Sequence, residues 1–312
     1  MPDKKIYITS EKVVTVSFLV DIIDVLINLL VAIVSGSVVM LSQTLQGGAD
    51  LLASGLLVFG IKKSKRRPDR KHPFGYGREI YFWTFISALT TFMITAGVSF
   101  YLGLKRFLNP QVLHNVNLAI IVLFVSILTN GYAMSLSFRR LLGKKIYKNI
   151  LQIFLHSAFI ATKTAFVLDL MGTLASILGL ISILLYKFSN NQKLDGLGAM
   201  LIGITLAILA IFILKSAKDL LVGQSAPPEI EDKIRSTVET FSEVKKVIDL
   251  RTLHIGTGIL LVDIEVNLQD GLTTDKIEIL IDQIQVKIIK QVPGAKEVRV
   301  ELETPKVKAL LK

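Results

Sequence analysis

Six stretches of mainly apolar residues constrain this chain more than any other feature. They run from about Val13 to Val34, Val38 to Ile61, Ile80 to Tyr101 and Leu118 to Phe138, with a fifth inside Phe154 to Leu185 and a sixth from about Leu197 to Leu214. Each is close to the roughly 20 residues that a helix needs to cross a bilayer. A backbone in hydrocarbon must satisfy its own hydrogen bonds, so such stretches fold as helices. Composition agrees: the 312 residues are 51% hydrophobic and 20% charged, against about 25% charged in a soluble domain. The net charge of +11 collects between spans. KKSKRRPDRK follows span two, Arg139, Arg140, Lys144, Lys145 and Lys148 follow span four, and Lys4, Lys5 and Lys12 precede span one. The opposite connections hold only Lys105 and Arg106, and Lys187 and Lys193. This asymmetry predicts a multi-pass membrane protein with both termini in the cytoplasm, in the cell membrane if the source is prokaryotic. It reads as a topology signal and not as a nucleic-acid-binding stripe, so no nucleic-acid partner is expected. There is no cysteine, which excludes disulfides and thiolate metal sites. MPDKKIYITS has no apolar h-region, and no cleavable signal peptide is expected.

From about Ser225 the pattern changes. PPEIEDKIRSTVETF opens with two prolines and early acids, a helix start. VKKVIDLRTLHI and GILLVDIEVNL are rich in β-branched residues and flank Gly256-Thr257-Gly258, which predicts a hairpin. TTDKIEILIDQIQVKIIKQ is a second amphipathic helix capped by Thr273 or Thr274, and VPGAKEVRVEL ends in a strand. The fold class expected is therefore membrane α-helical, six transmembrane helices plus a C-terminal cytoplasmic α+β domain of order αββαβ. The expected boundaries are a 1–12 cytoplasmic segment, a 13–218 transmembrane domain and a 225–312 cytoplasmic domain.

Ionisable groups inside spans cost about 2.5–3.5 kcal/mol each at mid-membrane and are functional candidates. Span one has Asp21, Asp24 and Asn28, span two has Gln43, Gln46 and Asp50, and span five has Asp169. Spacings of three and four place each set on one helix face. A carboxylate-bearing pocket between these spans could hold a hard cation, or a proton in its absence, and this competition underlies metal/proton antiport. The bland reading is interhelical hydrogen bonding by protonated Asp and Gln. Lys163, near the start of span five, is expected to snorkel to the interface. His114 and His156 lack metal-ligand spacing and read as structural or surface residues. No nucleophile elbow, P-loop or zinc-protease motif occurs, so no enzyme is expected.

SQTLQGGADLLAS in span two, HPFGYGRE before span three, DGLGAMLIG opening span six, DLLVGQSAPPE at the domain boundary and LRTLHIGTGILLVDIEV in the tail together resemble the cation diffusion facilitators over nearly the whole chain. The resemblance implies a homodimeric divalent cation efflux transporter with a ferredoxin-like cytoplasmic dimerisation domain. It implies a transport site of two pairs, in spans two and five. Here these read Gln46 with Asp50 and Ala165 with Asp169, so an amide and a methyl group replace two usual ligands. The metal set expected is Asp50, Asp169 and Gln46, with Asp21, Asp24, Asn28 and Gln43 as proton relay or pocket. Some relatives bind a second metal in the loop after span two. Here Asp69 and His72 match, while Tyr76 stands at the other histidine position, so His72 is expected to shape the loop, and Arg78 to anchor at the interface. His254, Asp263, Glu301 and Glu303 form a candidate cytoplasmic site.

The resemblance leans to zinc. The intramembrane set is oxygen only, which suits manganese or magnesium better and also admits iron(II). Both stay open. The expected partners are the divalent cation (Zn, Mn or Fe), protons and the lipid bilayer, with no cofactor beyond the transported ion. The alternative is a transport-inactive membrane scaffold that binds a partner through its cytoplasmic domain.

Overall fold

The computed structural model describes residues 21–142, 160–292 and 294–304. Segment 1–12, the start of the first span, Lys144, Lys145, Lys148 and His156 lie outside them. Helix α1 covers 21–35. Five helices long and apolar enough to cross a membrane follow: α2 (Val38–Ser64), α3 (Glu79–Leu108), α4 (Val116–Leu142), α5 (Ile160–Ser189) and α6 (Lys193–Val222). α3 runs through one π-helical stretch at Phe92–Gly97. The multi-pass architecture expected from the apolar pattern is the one observed. Large apolar side chains such as Ile33, Phe124, Leu128 and Ile208 point outward, as a lipid-facing surface requires. The small and polar ones point in.

α3 and α6 pack backbone to backbone. A Cβ at Gly103 would stand 2.6 Å from the Met200 nitrogen, and one at Gly203 2.8 Å from the Phe100 nitrogen. Small residues at these crossings permit the approach. At one end of this pair lies an ion pair far from the acids of the pocket in sequence. Arg106 Nε donates to Asp195 Oδ2 at 3.1 Å, and both side chains are buried. Arg106 also donates to the Gly36 carbonyl and to Gln111 Oε1. Asp195 in turn accepts from Ser37 Oγ at 2.5 Å, Val38 N at 2.9 Å and Val39 N at 3.2 Å. The first turn of α6 thereby caps the first turn of α2, whose amides have no partners within their own helix. Lys163 does not snorkel. It is 3% exposed, and its ammonium donates to Ser216 Oγ of α6 at 2.9 Å over the Phe212 ring. A hydroxyl and an aromatic face one helix away give the charge an inward resting place.

The second compact unit joins Ile61–Phe82 to the C-terminal residues. Its C-terminal part contains α7 (Pro228–Val238), β1 (Val244–Gly256), β2 (Ile259–Leu268), α8 (Thr274–Gln291) and β3 (Ala295–Leu302). This is the αββαβ order expected. β1 and β2 pair antiparallel, β2 and β3 parallel, in the order β1-β2-β3. On β2, Leu260, Val262, Ile264 and Val266 are buried in alternation and meet Ile234 and Val238 of α7 and Leu280, Ile284 and Ile288 of α8. Thr273 occupies the cap position of α8, but its hydroxyl makes no cap bond.

The loop between α2 and α3 belongs to this unit. Asp69 accepts from Lys71 N at 3.0 Å, His72 N at 2.8 Å and Tyr76 Oη at 2.7 Å. The His72 and Tyr76 rings pack 4.2 Å apart, and Arg66 lies over Tyr76. Gly77 then passes against Ile255 and Gly256 at the end of β1, and Arg299 covers Phe74. The Arg78 guanidinium donates to the Leu221 carbonyl at the end of α6.

Candidate cation site

The interior of the helix bundle is polar where α1, α2, α4 and α5 meet. Asn28, Gln43 and Gln46 are buried at 2%, 5% and 2% exposure, values rare for uncharged amides unless paired. On α2, Gln46 Nε2 donates to Asp50 Oδ2 at 2.8 Å. Asp50 Oδ1 is buried and has no hydrogen-bond partner among the described residues. Asp50 lies within electrostatic reach of both Asp169 and Asp21. The Ser137 hydroxyl of α4 donates to Asp169 Oδ2. On α1, Asn28 Nδ2 donates to Asp24 Oδ2 at 3.0 Å, and Ser126 Oγ of α4 donates to Asp24 Oδ1 at 3.3 Å. Gln43 Oε1 lies 3.3 Å from Ser176 Oγ of α5.

The structure thus brings Asp50, Gln46 and Asp169 into one region. It ties Asp24 and Asn28 to each other and to α4, and Gln43 to α5. Ala165 contributes only a methyl group. Among the described residues no three His, Asp or Glu side chains gather closely enough to hold a metal.

Sequence reading passed over α4 altogether. Ser126, Asn130 and Ser137 recur at four and seven, a single helix face. That spacing was the available signal; attention to charged groups and to the amides of α1 and α2 obscured it. Gly172 was also missed. A Cβ there would stand 2.7 Å from Asn130 Oδ1 and 3.3 Å from Gln46 Nε2, so its absence is what lets these amides approach α5.

Of the other two candidate sites, the loop pair comes together and the cytoplasmic set does not. In the loop, Asp69 and His72 are adjacent, with His72 Nδ1 3.6 Å from Asp69 Oδ1. Tyr76 fills the third position with a phenol that donates to Asp69, and this bond holds the Asp69 carboxyl below its usual range. The carboxylate is spent on turn hydrogen bonds. In the C-terminal domain, His254 pairs with Leu260 across β1-β2, on the helix-facing side, while Asp263 pairs with Arg251 and Arg299 and Glu301 pairs with Glu265 on the other side. Successive residues of a strand point to opposite faces, so His254 cannot join Asp263 and Glu301, and Glu303 follows the end of β3. Arg251 and Arg299 flank Asp263 on the neighbouring strands. Burial pushes the His254 imidazole down from its ordinary value.

Apolar helices turned outward around an inward set of carboxylates and amides, followed by a small α+β domain, define a multi-pass membrane protein with an internal polar site. The cation efflux transmembrane domain model matches residues 14–222 and the cation efflux protein cytoplasmic domain model matches residues 226–305. The chain belongs to the cation efflux, or cation diffusion facilitator, family. It is 26% identical over 253 residues to the human proton-coupled zinc antiporter SLC30A9, mitochondrial, covering 79% of this chain and 44% of that protein. It is 23% identical over 226 residues to metal tolerance protein C4 of Arabidopsis thaliana, covering 72% of this chain and 50% of that one. The chain therefore spans half or less of the length of these relatives. A solved MamM-CTD structure aligns with 24% of this chain and 94% of its own, at TM-score 0.23 and 17% identity.

Proposed function

We propose that this chain exports a divalent metal cation in exchange for protons, at a site formed by Asp50, Asp169 and Gln46 between α2 and α5. The observation that supports it most is Asp50: a carboxylate deep in a spanning helix, one oxygen held by Gln46 and the other buried without a partner among the described residues. A buried carboxylate needs either a cation or a proton to offset its lost hydration. One divalent cation on two carboxylates replaces the protons those carboxylates held. The protons leave as the cation binds and return when it departs on the other side. Rotation of the Gln46 amide would turn its oxygen to the cation in place of the nitrogen now facing Asp50. Asp24, Asn28 and Gln43 line the approach. Alternating access around a mid-membrane site carries the cation across. The basic connections favour cytoplasmic termini, and the C-terminal domain favours a homodimer.

The rival reading, a transport-inactive scaffold, draws on the methyl group at Ala165 in place of a ligand. Purified protein in liposomes, given a pH gradient and then zinc, manganese, iron(II), cobalt or magnesium, separates the two. Proton flux driven by at least one ion, and abolished in Asp50→Ala, is expected. Absence of flux with every ion, from protein that is folded and dimeric, would establish the scaffold.

A further inference from the structure

We infer that α4 completes the cation site, with Asn130 Oδ1, packed against Gly172 beside Gln46, as a neutral oxygen donor and Ser137 as the positioning residue of Asp169, so that the site prefers a hard divalent cation such as manganese(II) over zinc. This rests on the reading that Asp50 and Asp169 hold the cation.

The Asn130 amide has a defined orientation. Its Nδ2 donates to the Ser126 carbonyl at 2.9 Å. A carbonyl only accepts, so the nitrogen must lie on that side and the oxygen on the other. That oxygen is 2.7 Å from the point where a Gly172 Cβ would stand, and Gln46 Nε2 is 3.3 Å from the same point. The amides of α2 and α4 therefore both pack against α5 at residue 172, where there is no room for a side chain. Gly172 follows Asp169 by three residues, about one helical turn on the same side of α5. Gln46 holds Asp50, and Ser137 holds Asp169 from α4 and is itself 8% exposed. The Asn130 oxygen thus lies beside the residue that holds one acid and, at Gly172, one turn from the other.

The chemistry follows from the donor types. Two carboxylates, an Asn oxygen, a Gln oxygen after rotation and water make an all-oxygen set. Zinc favours four ligands with nitrogen or sulfur among them, whereas manganese(II) accepts six oxygens. An amide oxygen from α4 supplies a donor that Ala165 does not. The Ser137 hydroxyl orients the Asp169 carboxyl, as outer partners of metal ligands commonly do.

Calorimetric titration of the detergent-solubilised full chain with manganese(II) and with zinc tests this, each variant being first checked for its unfolding midpoint and size. Asn130→Leu keeps the branching at Cγ and removes the donor; manganese affinity should fall about tenfold or more while zinc affinity changes much less. Gly172→Ala keeps every donor but displaces the Asn130 amide oxygen, and should give the same selective loss. Asn130→Asp should retain or tighten manganese binding, and it decides the matter if the leucine variant does not fold: weaker manganese binding by the aspartate would overturn the inference. Ser137→Ala should move the pH at which manganese binding is half-complete, a shift that a packing role would not produce. Wild-type manganese binding by both Asn130→Leu and Gly172→Ala would also overturn it. Asp50→Ala in the same titration separates the two levels. Binding lost there but kept in Asn130→Leu defeats only the role of α4, whereas binding kept in Asp50→Ala defeats the site itself.

Discussion

The two compact units solve opposite burial problems. In the C-terminal domain the interior is aliphatic: Val262, Ile264, Val266, Ile284 and Ile288 are fully enclosed, and charged side chains such as Lys245 and Asp270 pair on the exposed surface. In the helix bundle the apolar side chains face outward, while Asn28, Gln43, Gln46, Arg106, Lys163 and Asp195 are buried. Water drives apolar groups inward in the first case. In lipid, no such drive operates between helices, and small contacts and interhelical hydrogen bonds hold them together. A buried polar group is therefore ordinary glue in the bundle. What distinguishes Asp50 is that one of its oxygens is buried with no hydrogen-bond partner among the described residues, whereas Asp195 spends both of its oxygens on Arg106, Ser37, Val38 and Val39.

This contrast predicts different failures. Arg106→Ala leaves Asp195 buried and uncompensated, and breaking such a pair costs about 3–5 kcal/mol. The expected result is a large drop in the unfolding midpoint, with cation affinity unchanged in the fraction that remains folded; a normal midpoint would show that the pair is not what fixes α6 to α2. Ile284→Ala truncates the aliphatic core of the other unit, at about 2–5 kcal/mol. Its effect should appear in denaturant unfolding of the C-terminal domain within the full chain and not in titration of the cation site. A smaller effect concerns His254. Its folded pKa lies below the ordinary value because of burial, so the neutral form is favoured in the fold. The associated stability is fully present above the ordinary imidazole pKa of about 6.5 and is lost as pH falls through the folded value. Wild-type protein should therefore lose more thermal stability than His254→Gln between about pH 7.5 and about pH 5.5. Equal slopes would show that the imidazole reaches water.

Much of this was legible in the sequence, for identifiable reasons. Apolar length marked the spans, and Gly256-Thr257-Gly258 marked the hairpin. Spacing placed Gln43, Gln46 and Asp50 on one face of α2, and the structure turns Gln43 to α5 and Gln46 to Asp50. Tertiary pairing was not legible. Arg106 and Asp195 are 89 residues apart, and Arg106 looked like one more loop charge. Lys163 was assigned to the interface because no inward partner is visible locally, and Ser216 is 53 residues away. The separation of His254 from Asp263 depends on hairpin register, which an irregularity between His254 and Gly256 shifts, and a shift of one residue exchanges faces. Ser126, Asn130 and Ser137 were overlooked because hydroxyls and single amides are common in membrane helices, and only their contacts to Asp24, Gly172 and Asp169 distinguish them.

The central claim is that a cation and protons compete for the same two carboxylates. Proton release on cation binding measures this directly, using a pH indicator in weakly buffered, detergent-solubilised protein. The account predicts release that saturates with bound cation in the wild type and is absent in the Asp50→Ala, Asp169→Ala double variant. Saturable cation binding by the wild type with no proton release, or unchanged release in the double variant, would contradict it.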